Sequence, residues 1–145
     1  MATERKAEVT WHGDLMSGSG TITSVTSGVL ADLAIDWRNR AEDAEGKTSP
    51  EELIAAAHAA CFAMALSHGL AQAGSPPEEL ETSATVTFVP GTGITASHLT
   101  VVGRVPGLDE AAFEAAAQQA KDGCPVSGAL AGNVELTLDA RLQSS

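Results

Sequence analysis

Two cysteines, Cys61 and Cys124, stand in very different settings in this sequence. Cys61 lies inside "SPEELIAAAHAACFAMAL", among alanines and larger apolar residues, and Cys124 lies in "DGCPVSGAL", directly before a proline. A free thiol can be an inert, alanine-like core residue. As a thiolate it is a nucleophile and one half of a redox couple. Burial raises a thiol's pKa, so a reactive Cys61 needs a cation delivered from elsewhere, while Ala57, Ala60 and Ala65 leave room beside its sulfur. Cys124 precedes Pro125, a residue suited to the first position of a helix. That places its sulfur beside unsatisfied N–H groups, which stabilise a thiolate. Cysteine is not a favoured N-cap, so capping alone does not account for it. If the two sulfurs meet, one attacks and the other resolves. The 63 positions between them leave open whether they do.

Other chemistries have weaker support. His58, three residues before Cys61, shares its helix face and could act as a base for acyl transfer, but nothing supplies an oxyanion hole. His12, His58, His68 and His98 show no metal-ligand spacing. Gly46-Lys47-Thr48 ends like a phosphate loop, yet Ala41 occupies the position of the required leading glycine.

Composition narrows the partners. A formal net charge of -11 with only eight Lys and Arg argues against nucleic acid and anionic membrane surfaces. The N-terminal "MATERKAEVTWHGD" lacks an apolar core of the secretory type, so a cytoplasmic location is expected, where paired cysteines are more often free or redox-active than structural. The window from Leu53 to Ala71 is apolar enough to consider as a membrane span. It is mostly alanine, however, and contains His58, Ser67 and His68, so it reads as a helix covered inside a protein. At 145 residues the chain is expected to form a single domain, 1–145.

The elements that must position the cysteines follow from turn and capping signals. "AEVTWHG", "SGSGTITSVTSG" and "VLADLAIDW" read as a three-stranded meander, and "RNRAEDAEGKTSP" as a polar loop. Ser49, Pro50, Glu51 and Glu52 open a helix, with Ser49 and Glu52 spaced as a capping box, that runs to Gly74. Such a helix of about 24 residues is about 36 Å long. Its all-round apolar character predicts cover on every side. "ELETSATVTFVP" and "ITASHLTVVGRVP" predict a hairpin turning at Gly91-Thr92-Gly93, "DEAAFEAAAQQAKDG" a second helix, "CPVSGAL" a short third, and "NVELTLDARL" a last strand.

The helix motif around Cys61, the "GCPVS.AL" motif and the N-terminal "W.GD...G.G....SG.L" together resemble the osmotically inducible protein C and organic hydroperoxide resistance (OsmC/Ohr) family, most closely its OsmC branch, over nearly the full chain. The resemblance implies an α/β fold of α+β type, in which two subunits intertwine, long central helices being wrapped by curved antiparallel sheets. It also implies a cysteine peroxidase that reduces organic hydroperoxides to alcohols and needs no haem, flavin or metal. Carried over residue by residue, the attacking cysteine falls on Cys61, the resolving cysteine on Cys124 and the helix-start glutamate on Glu51. The loop arginine falls on Arg40, because "RAED" matches the family's Arg-x-Glu stretch, with Arg38 the other candidate. In this scheme Arg40 stabilises the thiolate and the leaving oxygen, Glu51 holds Arg40 by a bidentate pair, and Cys124 condenses with the Cys61 sulfenic acid. Because the loop is polar, removing the arginine is expected to leave folding nearly intact. The expected partners are an organic hydroperoxide, a lipoyl-type or thioredoxin-like dithiol reductant and a second copy of the chain. The alternative is a stress-related binding protein that holds a lipid-like ligand on the same fold.

Overall fold

Gly-bounded, β-branched segments at the start of the chain pair as a meander in the computed structural model, which describes residues 2–143. Strands β1 (Ala7–His12), β2 (Ser19–Val25) and β3 (Leu33–Ile35) form an antiparallel sheet in the order β1-β2-β3. Trp11 faces Gly20 across the register, and the ring occupies the space that a side chain there would need, since an added Cβ would lie 2.6 Å from it. Segment 29–37, expected as one extended run, is a strand only over β3.

The polar stretch after β3 differs from expectation. Residues Trp37–Ala41 form a short helix, α1, rather than loop. The cause is a cap: the Asp36 carboxylate accepts the Asn39 N–H at 2.8 Å, and its other oxygen takes Lys47 Nζ at 2.7 Å. The Lys47 hydrogen bond and the Asn39 N–H hold Asp36 below the usual carboxylate range. Asn39 Nδ2 then donates to the Asp43 carbonyl at 2.7 Å, fixing the exit from the helix.

Helix α2 spans Pro50–Gln72, 23 residues. Ser49 Oγ accepts the Glu52 N–H at 3.1 Å, the first half of the expected capping box. The second half is replaced, because the Glu52 carboxylate accepts the Thr48 hydroxyl at 2.9 Å. The chain divides into two compact units, one ending at Leu53 and one beginning at Ile54.

In the second unit, β4 (Glu79–Val89) and β5 (Gly93–Arg104) form the expected hairpin, but β6 (Glu135–Leu142) joins β5 in parallel, so this sheet, in the order β4-β5-β6, is mixed and not antiparallel throughout as expected. A parallel neighbour requires a crossover, which α3 (Glu110–Gly123) and α4 (Pro125–Leu130) provide. Asp109 caps α3 by accepting the Ala112 N–H at 2.8 Å. The core of this unit is Phe62, Leu66 and Leu70 of α2 against Leu99 and Val101 of β5 and Phe113 and Ala117 of α3. Gly103 lets Phe113 seat, since a Cβ there would come within 2.5 Å of the ring.

The expectation of cover all round α2 is not met by the chain itself. His58, Phe62, Leu66 and Leu70 are buried at a four-residue spacing, while Ala57, Ala60, Met64 and His68 are exposed, Met64 by 72%. The stripe opposite the buried residues is left mostly apolar and exposed. By length and composition α2 could also cross a membrane, its best window reaching a hydropathy of 1.6.

Candidate functional site

The sequence leaves the meeting of the two sulfurs open; the fold brings them together. Cys61 sits in the middle of α2 and Cys124 at the N-cap of α4, followed by Pro125 at the start of the helix. Both are free thiols, and each acts directly on the other's ionisation. Their exposures differ: Cys124 is 1% exposed, whereas Cys61 is only partly covered.

Ionisation also separates them. Burial pushes the Cys61 thiol up, and the adjoining Cys124 adds to the rise, against an opposing effect of the Val126 N–H. Burial raises Cys124 too, but the Cys61 thiol, the first-turn N–H groups of Ser127 and Val126 and the Ser127 hydroxyl outweigh it and leave Cys124 below the ordinary thiol value. The Cys124 side chain makes no cap hydrogen bond to α4. A thiolate on Cys61 requires a cation beside it, as burial alone dictates.

The cation expected from the sequence is set up in the first unit. Arg40, on α1, grips Glu51, in the first turn of α2, by a fork: Nε lies 3.0 Å from Oε1 and Nη2 lies 2.9 Å from Oε2. The Glu51 side chain is 8% exposed and that of Arg40 31%. Arg40 also lies over the Trp37 ring, 6.0 Å from its centroid. Arg38, by contrast, makes an exposed pair with Glu42 at 3.6 Å. A cavity of about 90 Å³ opens beside the guanidinium, lined mainly by Trp11, Leu15, Ile35, Trp37 and Pro50. The four expected site residues thus form two pairs, each inside its own compact unit.

Burial of Glu51 corrects the expectation that removing the arginine is structurally harmless. Without Arg40 a buried carboxylate loses its partner, at a cost on the order of 3 kcal/mol, the low end for breaking a buried pair, because the first turn of α2 still favours the charge.

His58 is not available as a base for Cys61. It is fully buried, and both ring nitrogens are engaged, Nδ1 by Ser97 Oγ at 2.6 Å and Nε2 by Ser127 Oγ at 2.8 Å. The two serines were invisible as partners because they lie 39 and 69 residues away in the chain. The placement of Trp37 under Arg40 follows from the helix, where three residues is a neighbouring position. Among the described residues no three His, Cys, Asp or Glu side chains gather as a metal site would require.

Known proteins resemble this chain over nearly its whole length. "Peroxiredoxin OsmC" of Escherichia coli (strain K12) is 44% identical over 147 residues, covering 99% of this chain and all of that protein. "Organic hydroperoxide resistance protein OhrA" of Bacillus subtilis (strain 168) is 32% identical over 83% of this chain and 86% of that protein. The crystal structure of the organic hydroperoxide resistance protein OhrB of B. subtilis is similar with a TM-score of 0.68 at 30% identity, covering 93% of this chain and 97% of that one. It shares the α+β fold. Residues 42–139 match the family model described as OsmC-like protein, and the chain belongs to the OsmC-like family.

Proposed function

We propose that this protein is a cysteine-based peroxidase that reduces organic hydroperoxides to alcohols. The observation that carries the reading is the adjacency of two free thiols, one partly open and one buried at a helix start. The names of the relatives, a peroxiredoxin and organic hydroperoxide resistance proteins, support it. In the proposed reaction the Cys61 thiolate attacks one peroxide oxygen. The O–O bond breaks, Cys61 becomes a sulfenic acid, and the departing alkoxide takes a proton to become the alcohol. Cys124 then attacks the Cys61 sulfur, the S–O bond breaks, a disulfide forms, and the released hydroxide leaves as water after taking a proton. A dithiol of lipoyl type returns both thiols by exchange, a chemistry suited to the cytoplasm.

Arg40 is the proposed cation for the Cys61 thiolate and the departing oxygen, held by the Glu51 fork. The apolar cavity beside the guanidinium suits an alkyl or lipid peroxide better than a small hydrated one. Reduced protein mixed with cumene hydroperoxide and dihydrolipoamide is expected to consume the peroxide through many turnovers. Correctly folded protein that consumes none removes the proposal.

The active unit is proposed to be an intertwined homodimer in which residues 1–145 act as one functional domain. Its support is the bare apolar stripe of α2 and the exposed Val9 and Trp11 of β1, which a second copy would cover. Glu51 and Cys61, ten positions apart on α2, are separated by about 15 Å of rise and about 80° of rotation. Glutamate therefore cannot serve the cysteine of its own helix directly, and each site is proposed to take its Glu51 from one subunit and its Cys61 from the other. Co-refolding an inactive Cys61→Ser protein with an inactive Glu51→Ala protein is expected to restore activity, because some heterodimers hold one intact site. Heterodimers proven by mass spectrometry that remain inactive would show that Glu51 serves its own chain.

A further inference from the structure

The turn between β1 and β2 has no part in the reaction above, yet one of its side chains reaches the cavity beside Arg40. Leu15 and Met16 lie within this turn. Met16 is 75% exposed and stands clear of the cavity, whereas Leu15 is 52% exposed and lines it with Trp11, Ile35, Trp37 and Pro50. All of these residues belong to the compact unit that ends at Leu53. A side chain that lines a cavity while half of it meets solvent stands at the cavity's mouth. We propose that Leu15 is a specificity-determining residue, which limits the size of the hydrocarbon group that enters the cavity beside Arg40, and that Asp14 is its positioning residue.

The turn is held by its own short-range bonds. Asp14 Oδ1 accepts the Ser17 N–H at 2.8 Å and the Ser17 hydroxyl at 2.6 Å. The Asp14 carbonyl accepts the Gly18 N–H at 2.9 Å. An aspartate side chain bonded in this way takes the place of a backbone turn and fixes the residues it encloses, here Leu15 and Met16. Trp11 is tied to the same turn, its Nε1–H donating to the Gly13 carbonyl at 2.9 Å. Two walls of the cavity, the Trp11 ring and Leu15, are thereby held relative to each other.

Size decides what the cavity takes. It measures about 90 Å³. An apolar cavity of about 150 Å³ accepts a benzene ring. The space beside Arg40 therefore suits a short or branched alkyl group and is tight for an aromatic one. Its other polar linings are already engaged: the Asp36 carboxylate accepts from Asn39 and Lys47, and the Thr48 hydroxyl donates to Glu52. Leu15→Ala removes an isopropyl group from the mouth and makes room for a ring. Leu15 lies outside the core, so this variant keeps the fold.

Assigning the hydrocarbon group to a peroxide rests on the peroxidase reading, whereas the size limit does not. Trp11 and Trp37 are the two tryptophans of the chain and both line the cavity, so tryptophan fluorescence reports what enters it. The probes are tert-butanol and 2-phenylpropan-2-ol, the alcohols formed from tert-butyl and cumene hydroperoxides. In Leu15→Ala the ratio of their dissociation constants is expected to shift about tenfold in favour of the aryl alcohol, the low end for a change of one methylene in an apolar pocket. Asp14→Asn keeps an acceptor oxygen for Ser17 and is expected to keep the original ratio, while Asp14→Ala is expected to move it in the direction of Leu15→Ala. The kcat/KM ratio for the two hydroperoxides should follow the same order. An unchanged ratio in Leu15→Ala overturns the role of Leu15, and so does fluorescence that responds to neither alcohol. Asp14→Asn and Asp14→Ala proteins that behave alike overturn the role of Asp14. Absent peroxide turnover with the expected alcohol ratios would remove the peroxidase reading and leave the size limit standing.

Discussion

Cys61→Ser is expected to abolish peroxide turnover, whereas Cys124→Ser permits one round of attack and leaves Cys61 as a sulfenic or higher acid. The two thiols make this a real choice, because acidity and access point in opposite directions. The Cys61 thiol and the N–H groups at the start of α4 draw the Cys124 pKa down against its burial. Cys124 is also 1% exposed, while Cys61 is partly open. Access decides in favour of Cys61, because a thiolate that peroxide cannot reach does not react, and a cation beside Cys61 can move the charge to it. Mass spectrometry after one equivalent of peroxide reads the outcome directly. A sulfenic acid appearing first on Cys124 would reverse the assignment.

Arg40→Ala is expected to slow attack on the peroxide by about 10²–10³, the usual consequence of losing one charge-stabilising donor. Under the role proposed for Arg40, the alkylation midpoint of Cys61 should rise with it, because burial raises that thiol and the proposed cation is gone. Glu51 complicates the reading, since the single variant leaves its buried carboxylate unpaired. Arg40→Ala combined with Glu51→Gln removes that charge, so the double variant should regain thermal stability and still lack activity. Arg40→Lys should restore little, because an ammonium cannot form the fork seen at 3.0 and 2.9 Å. Arg38→Ala is the control: its pair with Glu42 is exposed on both sides, and such pairs contribute little. Full activity in Arg40→Ala with loss in Arg38→Ala would transfer the role to Arg38.

Local chemistry made several elements readable from the residues alone. Ser49-Pro50-Glu51-Glu52 marks the start of α2, Asp109 caps α3, Cys124-Pro125 opens α4, and Gly91-Thr92-Gly93 turns the hairpin, because each signal acts within a few residues of itself. Residues 37–41 read as loop from the sequence, since one turn of polar helix carries no hydrophobic periodicity, and the Asp36 cap that forms α1 is seen only in the structure. Cys61 and Cys124 stand out by their settings in the sequence, whereas Arg40 and Glu51 are named as candidates only through the resemblance to the family. What the linear order could not contain is which of them touch. The approach of Cys124 to Cys61 depends on the α3–α4 crossover that returns the chain to β6, parallel to β5. The choice of Arg40 over Arg38 for Glu51 depends on which face of α1 turns inward, a rotation that two residues of spacing reverse. The partners of His58 come from β5 and α4, and no local rule selects two serines on separate elements for one imidazole. Sequence determines the segments because helix starts, caps and turns are energetics of neighbours. Contacts between segments are decided only when the apolar faces pack, and packing acts on residues far apart in the chain.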